Sequence, residues 1–343
     1  MAITGSGTQA SPFIVHNYTE FISLSGHQPI DETKAVYIQF FDAPGQVIDC
    51  NSYGSEFKWG AFVDGASTWG DVTYYIDLNG CTIKNFIINA GIKMFEGHYI
   101  GISGATGKII ISNGAILNVF MGSATSQVCG NYVEFHNVSI STNFSGNTEI
   151  PFNATTNGLI VFDNCALYLA GATLQAPIIS CASISDTDIE LHISNQNGII
   201  PFGAPSGLLS QALYCELSGC RIQGKISGVP CAHVESGHYS VLGCAVPYDD
   251  GDIGKICKLV NCVVDIDLSD SAVDANGIMY WIYKATGATD MNTNVLCKSL
   301  YPSTGTERGY IYPDSWNYMT SAQIRNGQYL NDQGFTVVEV LGG

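Results

Sequence analysis

Residues 76–85 read Ile76-Asp77-Leu78-Asn79-Gly80-Cys81-Thr82-Ile83-Lys84-Asn85. In one straight strand, Ile76 and Leu78 would lie on one face and Cys81 and Ile83 on the other, because strand side chains alternate. A one-residue change of direction at Asn79-Gly80 brings all four to the same side. Gly, Asn and Asp make such a turn through left-handed backbone, where other residues are strained. The pattern recurs when seven segments are aligned on Cys81, Ala115, Val138, Cys165, Thr187, Cys220 and Cys262. Two residues further on stand Ile83, Leu117, Ile140, Leu167, Ile189, Ile222 and Val264. Three residues back are Leu78, Phe135, Phe162, Ile184, Leu217 and Leu259, with Ser112 the exception. Five back are Ile76, Ile110, Val133, Ile160, Ala182, Cys215 and Cys257. Just before each anchor comes Gly80, Gly114, Asn137, Asn164, Asp186, Gly219 or Asn261. Such a coil buries its inner face only against a copy of itself, so the pattern predicts an all-β parallel solenoid. Anchors lie 22 to 42 residues apart, so loops of unequal length leave the coils. A β-sandwich of evenly spaced strands is the competing reading.

Outward from the coils, the chain divides into three segments. Residues 1–30 read as an N-terminal cap: a short edge strand at Pro12-Phe13-Ile14-Val15, then a helical turn or two from Tyr18 with Asn17 as N-cap. Residues 31–270 hold the coils, with first strands at 36–40 and 46–50. Residues 271–343 form a small aromatic-rich C-terminal cap or module, with a short helix expected from Thr320 or Ser321 and a last strand at 335–340.

Composition narrows the function. Of 343 residues, 46% are hydrophobic and 13% charged, which excludes a disordered chain. Thirteen basic residues, only three of them Arg, face thirty acidic ones, a net charge of −17. A nucleic-acid partner needs a basic footprint and is therefore not expected. No apolar run is long enough for membrane insertion. The opening Met-Ala-Ile-Thr-Gly-Ser has neither the basic nor the apolar region of a signal peptide. Several of the twelve cysteines fall on inward coil positions, interchangeable with Ile, Val and Ala, so free thiols are expected rather than disulfides.

Three stretches in this order carry a resemblance: Gly5-Ser6-Gly7-Thr8 with Pro12-Phe13-Ile14-Val15 and Tyr18-Thr19-Glu20-Phe21; the 76–85 coil; and Tyr329-Leu330-Asn331-Asp332-Gln333-Gly334-Phe335. Together they resemble right-handed parallel β-helix proteins of the pectin-lyase-like superfold, in the version carried by bacteriophages and prophages of gut bacteria. The resemblance implies a virion component: a head decoration protein or head fibre, or a tail fibre or tailspike. It implies a homotrimer that contacts other virion proteins such as the major capsid or tail protein, made in the bacterial host cytoplasm and exposed on the virion surface. No catalytic signature carries over, so the expectation is a non-enzymatic structural protein, with a receptor-binding tail protein or glycan depolymerase as the alternative.

Candidate sites are few, and each has a structural reading beside it. Asp186, Asp188 and Glu190 alternate and are expected to point outward from one strand, as a glycan-cleaving carboxylate row or a solvated face. Asp249, Asp250 and Asp252, with Asp265, Asp267 and Asp270, match no calcium loop and read as solvated. Cys215/Cys220 and Cys257/Cys262 repeat a spacing that suggests zinc, but the coil pattern accounts for it. A Cys231–His233/His238 pair lacks evidence of proximity. No cofactor or metal is expected. Tyr280, Trp281, Tyr283, Tyr310, Tyr312, Trp316 and Tyr318 form an aromatic cluster open to three readings: module core, subunit interface or contact with a host surface glycan.

Overall fold

The computed structural model describes residues 3–24, 27, 29–41, 45–50, 56–58, 72–89, 108–121, 133–143, 152–153, 160–171, 178–180, 182–197, 201–202, 214–229, 231–232, 239–246, 255–268, 270–271, 279–284, 295–298, 316–319 and 326–332. They fall into two compact units, Met1–Thr142 with Pro151–Leu167, and Asn143–Ile150 with Tyr168–Gly343. Each is built from stacked coils of parallel strands, the architecture of a parallel β-helix.

In the first unit one ladder runs through Phe13–Val15, Ala35–Phe40, Thr73–Asp77, the start of Ile109–Met121, Val133–Asn143 and Ile160–Asp163. Its register stacks Ile38, Ile76, Ile111, Phe135 and Phe162 in one buried column. A second ladder stacks Ile48, Ile83, Ile116 and Ile140. Phe135 and Phe162 lie face to face at 5.1 Å, and Phe152 closes edge-on against Phe162 at 5.3 Å. The expected first helix is Tyr18–Ser23, with the Asn17 Oδ1 accepting from Glu20 N at 3.0 Å. Its Phe21 packs on Phe40 and Phe86, covering the apolar first coil.

The second unit repeats the design. Ala182, Cys215 and Cys257 stack in one column, and Ile184, Leu217 and Leu259 in the next. Beyond the corner, Ile189, Ile222 and Val264 form a third. Parallel pairing continues past residue 271: Val263–Asp267 pairs with Val295–Lys298, which pairs with Trp316–Met319, and Tyr239–Val246 pairs with Met279–Lys284. Among the described residues of this unit, antiparallel pairing joins Tyr239–Val246 to Cys231–Ala232 and to Lys255–Val260. The C-terminal helix is Gly327–Asp332.

The corner residues have the backbone that the change of direction requires. Gly80, Asn113, Asn137, Asn164, Asp186, Gly219 and Asn261 all have φ between 46° and 79°.

One coil corrects the sequence alignment. The partner of Ile83 is Ile116, and that of Val138 is Gly114. The anchor is therefore Gly114 rather than Ala115, and Leu117 points outward, 36% exposed. Ile109 and Ile111 fill the positions assigned to Ile110 and Ser112, which removes the Ser112 exception. The cause is a longer corner in the coil above. Cys81 follows Ile76 by five positions, where Gly114 follows its partner Ile111 by three. Tyr74 and Ile76 are thus the standard inward pair, and Leu78 is additional. Leu78 fills the space that Gly114 leaves: a Cβ there would stand 2.4 Å from the Leu78 Cβ. Gly114 is required by this packing, since its φ is not left-handed.

Candidate functional site

The corners are where side chains carry chemistry. In the first unit they hold amide ladders. Asn113 Nδ2 donates to Asp77 Oδ1 at 3.1 Å, and Asn137 Nδ2 donates to Asn113 Oδ1 at 3.1 Å. A second ladder follows four residues after the anchors, at Asn85 and Asn118, both left-handed. There Asn85 Nδ2 donates to Asp49 Oδ1 at 2.8 Å, and Asn118 Nδ2 to Asn85 Oδ1 at 3.3 Å.

At the anchors the thiols act as donors. Cys165 Sγ lies 3.3 Å from both the Phe135 and the Asp163 carbonyls. Cys220 reaches the Ile184 and Ser218 carbonyls at 3.4 Å, and Cys262 reaches Leu217 and Val260 at 3.3 Å. Each thiol spans the carbonyl two residues back in its own coil and one in the coil before. Thr187, in the same column, bonds through Oγ1 to the Ser185 carbonyl at 2.7 Å. Treating anchor cysteines as apolar fillers missed this role, and Thr187 was the available clue. Seven of the described cysteines are free and buried. Burial, with Asp49 adding, pushes the Cys50 thiol up to about 12. Burial also raises Cys165, and Cys220 is raised by the Cys262 sulfur beside it and by burial. Thiols held protonated are poor nucleophiles and poor metal ligands.

The outer face of the first unit bears a charged chain. Lys108 Nζ lies 2.5 Å from Glu134 Oε1, Glu134 Oε2 lies 3.0 Å from His136 Nε2, and His136 Nδ1 lies 3.2 Å from Asp163 Oδ2. Burial alone would raise the Glu134 carboxyl, but hydrogen bonds from Lys108 and His136 outweigh it and hold the group below its usual range. Nearby, Tyr37 and Tyr75 are register partners with rings stacked at 4.6 Å.

In the second unit, Asp186 is the left-handed corner residue and not part of the strand, which corrects the three-carboxylate row. Its Oδ1 lies 2.4 Å from where a Cβ on Gly219 would sit. The outward row is Asp188, Glu190 and His192, with Arg221, Gln223 and Lys225 as register partners in the next coil. Burial raises the Asp188 carboxyl, against the pull of the Arg221 guanidinium. His192 Nε2 lies 2.6 Å from Glu190 Oε1, and its ring rests 5.1 Å from that of Tyr168, which is 42% exposed. Asp265, expected to be solvated, is 6% exposed, because both faces of Val263–Asp267 are covered. Asp270 pairs with Lys225 at 2.6 Å, and Lys258 bridges to Glu216 at 2.9 Å.

Among the aromatic candidates, Tyr280, Trp281 and Tyr283 lie on Met279–Lys284, and Trp316 and Tyr318 on Trp316–Met319. The two strands pair with different partners. Tyr310 and Tyr312 lie outside the described residues, as do Asp249, Asp250, Asp252, His233 and His238. Among the described residues no group of three or more His, Cys, Asp and Glu could hold a metal ion, and no helix is long and apolar enough to cross a membrane.

No protein-family model matches the chain, and no curated protein matches it. Among solved structures, the chain is similar to a proposed immunoglobulin A1 protease from Bacteroides ovatus, with 14% identity and a TM-score of 0.39 over 96% of this chain and 89% of that one. A likeness at that level carries no argument about this chain.

Proposed function

We propose that the protein is a non-enzymatic structural component of a bacteriophage virion, exposed on the particle surface as a head decoration or head-fibre protein. The observation that carries this reading is how the polar groups are used. Asn113, Asn137, Glu134, His136, Cys220, Cys262 and Lys258 all bond from one coil to another. Such cross-bonding gives a stiff, protease-resistant body suited to display. The net charge of −17 suits an outer face, and the sequence resemblance supplies the phage context. In this reading residues 1–30 cap the first unit, residues 271–343 act as a cap or module of the second, and three copies associate on the major capsid or a tail protein. Protein mass spectrometry and immunogold labelling of purified particles test it. The chain should be found in intact particles with label on the head. Recovery only in the soluble fraction overturns the reading, and label on the tail moves the protein there.

A second reading rests on Tyr168, His192, Glu190 and Asp188, an exposed aromatic beside carboxylates, which is the chemistry of a glycan contact. Loss of host-cell adhesion in Tyr168→Ala, with particle incorporation intact, would support it. Release of reducing ends from host polysaccharide would make the protein a depolymerase instead.

A further inference from the structure

In a parallel ladder, register partners leave their strands at equivalent points about 4.8 Å apart and project side by side. Tyr37 and Tyr75 are such partners on the outer face of the first unit, in Ala35–Phe40 and Thr73–Asp77. Their rings are parallel to within 5°, with centroids 4.6 Å apart. Tyr75 is 37% exposed and Tyr37 is half-buried, so water reaches the pair. Both strands are also held from outside: Tyr37 N–H donates to the Gly7 carbonyl and Tyr74 N–H to the Lys108 carbonyl, each at 2.8 Å. Neighbouring rings do not combine stacking, a phenol and exposure. Tyr74 faces inward, fully buried, and its hydroxyl donates to the His27 carbonyl at 2.7 Å. Phe135 and Phe162 stack at 5.1 Å but are buried and have no phenol. Tyr168 is exposed but rests against the His192 ring.

We infer that Tyr37 and Tyr75 form a modification site, at which a one-electron oxidant joins the two rings as dityrosine and locks two successive coils together. The oxidant takes one electron from each phenol, and each phenolic proton goes to water at the exposed face. The unpaired electron of each tyrosyl radical is shared between the oxygen and the ring carbons beside it. A turn of one ring about its Cβ–Cγ bond brings a Cε of each ring together, and a carbon–carbon bond forms between them. Each of these carbons then loses its hydrogen as a proton while each oxygen regains one, which restores both phenols. Two tyrosines and two one-electron acceptors become one dityrosine, two reduced acceptors and two protons. The radicals are neighbours from the start, because the register and not a flexible loop brings the rings together. The link closes the loop from Tyr37 to Tyr75, restricts the unfolded chain, and does so in the coils beside the N-terminal cap.

The test illuminates the full folded chain with tris(bipyridyl)ruthenium and persulfate, which together supply small one-electron oxidants, and maps proteolytic fragments by mass spectrometry. Isotope-labelled and unlabelled chains are mixed beforehand. Fragments bearing Tyr37 and Tyr75 should be joined, lighter by two hydrogens and resistant to reduction, with both partners labelled or both unlabelled. Tyr37→Phe and Tyr75→Phe each keep a ring in the stack but remove a phenol, and each should abolish the joined fragment. In the linked chain, Ala35–Phe40 and Thr73–Asp77 should exchange their amide hydrogens more slowly in urea than in the untreated chain. If Tyr37 and Tyr75 remain unlinked in the wild-type chain, if they join only between labelled and unlabelled chains, or if the linked strands exchange no more slowly, the inference fails.

Discussion

The two units solve the same corner in different ways. The first staples its corners with asparagine amides outside the turn, bonding Asp77 to Asn113 to Asn137 and Asp49 to Asn85 to Asn118. Inside donors begin in the first unit at Cys165 and occupy successive coils of the second, with Thr187, Cys220 and Cys262 capping carbonyls within the column. The units also differ four residues after the anchor. There two coils of the first turn again at left-handed Asn85 and Asn118, while in the second the ladder continues through Leu191, Gly224 and Ile266, with Gly224 at φ +124°. An amide ladder needs room and left-handed backbone, whereas a buried donor needs a small side chain and a carbonyl within reach. One solenoid can therefore use either device.

The sharpest way to break this contrast is Gly224→Ala. A Cβ would meet the Leu191 carbonyl oxygen at 2.0 Å with φ at +124°, so a loss of roughly 3 kcal/mol is expected from clash and backbone strain together. Urea unfolding should register it, and hydrogen exchange should place the lost protection in the second unit. Gly114→Ala comes next, at about 2 kcal/mol in the first unit. Adding Leu78→Gly, which removes the Cβ that the new methyl would meet at 2.4 Å, should recover part of the loss in a double-mutant cycle; simple additivity would refute the displaced-corner account.

Asn113→Ala should cost about 1–2 kcal/mol through the broken ladder and the left-handed backbone. Asn113→Gly, which keeps the backbone, should cost less, and equal losses would assign the whole effect to the amide. Cys262→Val should cost about 1 kcal/mol by removing the Sγ donor to the Leu217 carbonyl, while Cys262→Ser stays nearer wild type. If Val is the better substitute, the thiol is a filler after all.

The smallest effect concerns pH. The folded-state pKa of Glu134 is depressed, so its stabilisation is present above the unfolded-state value and lost as pH falls through the folded one. Lys108→Met removes one cause of that depression. The difference in urea midpoint between neutral and acidic buffer should narrow in the variant.

Much of this was legible in the order of residues. Small or turn-prone residues before each anchor, and apolar residues at fixed offsets on both sides, specified the bend and the inward columns. The Cys81 coil misled because Leu78 and Ile76 match the offsets by coincidence, and only the hydrogen-bonded register exposes the two extra residues. The Lys108–Glu134–His136–Asp163 chain went unseen, although His136 and Asp163 both sit two residues before their anchors and were alignable. Asp265 was misjudged because its position faces outward, and whether that face is covered is not a local property.

The amino-acid order alone determined that these strands bend and that their apolar sides must meet copies of themselves, since backbone permissiveness and alternation act within a few residues. Tertiary structure alone decided the register between coils, and with it which glycine makes room, which thiols are neighbours and which carboxylates are covered. Those properties depend on hydrogen bonds between segments some 25 to 45 residues apart, and the lengths of the intervening loops do not fix them.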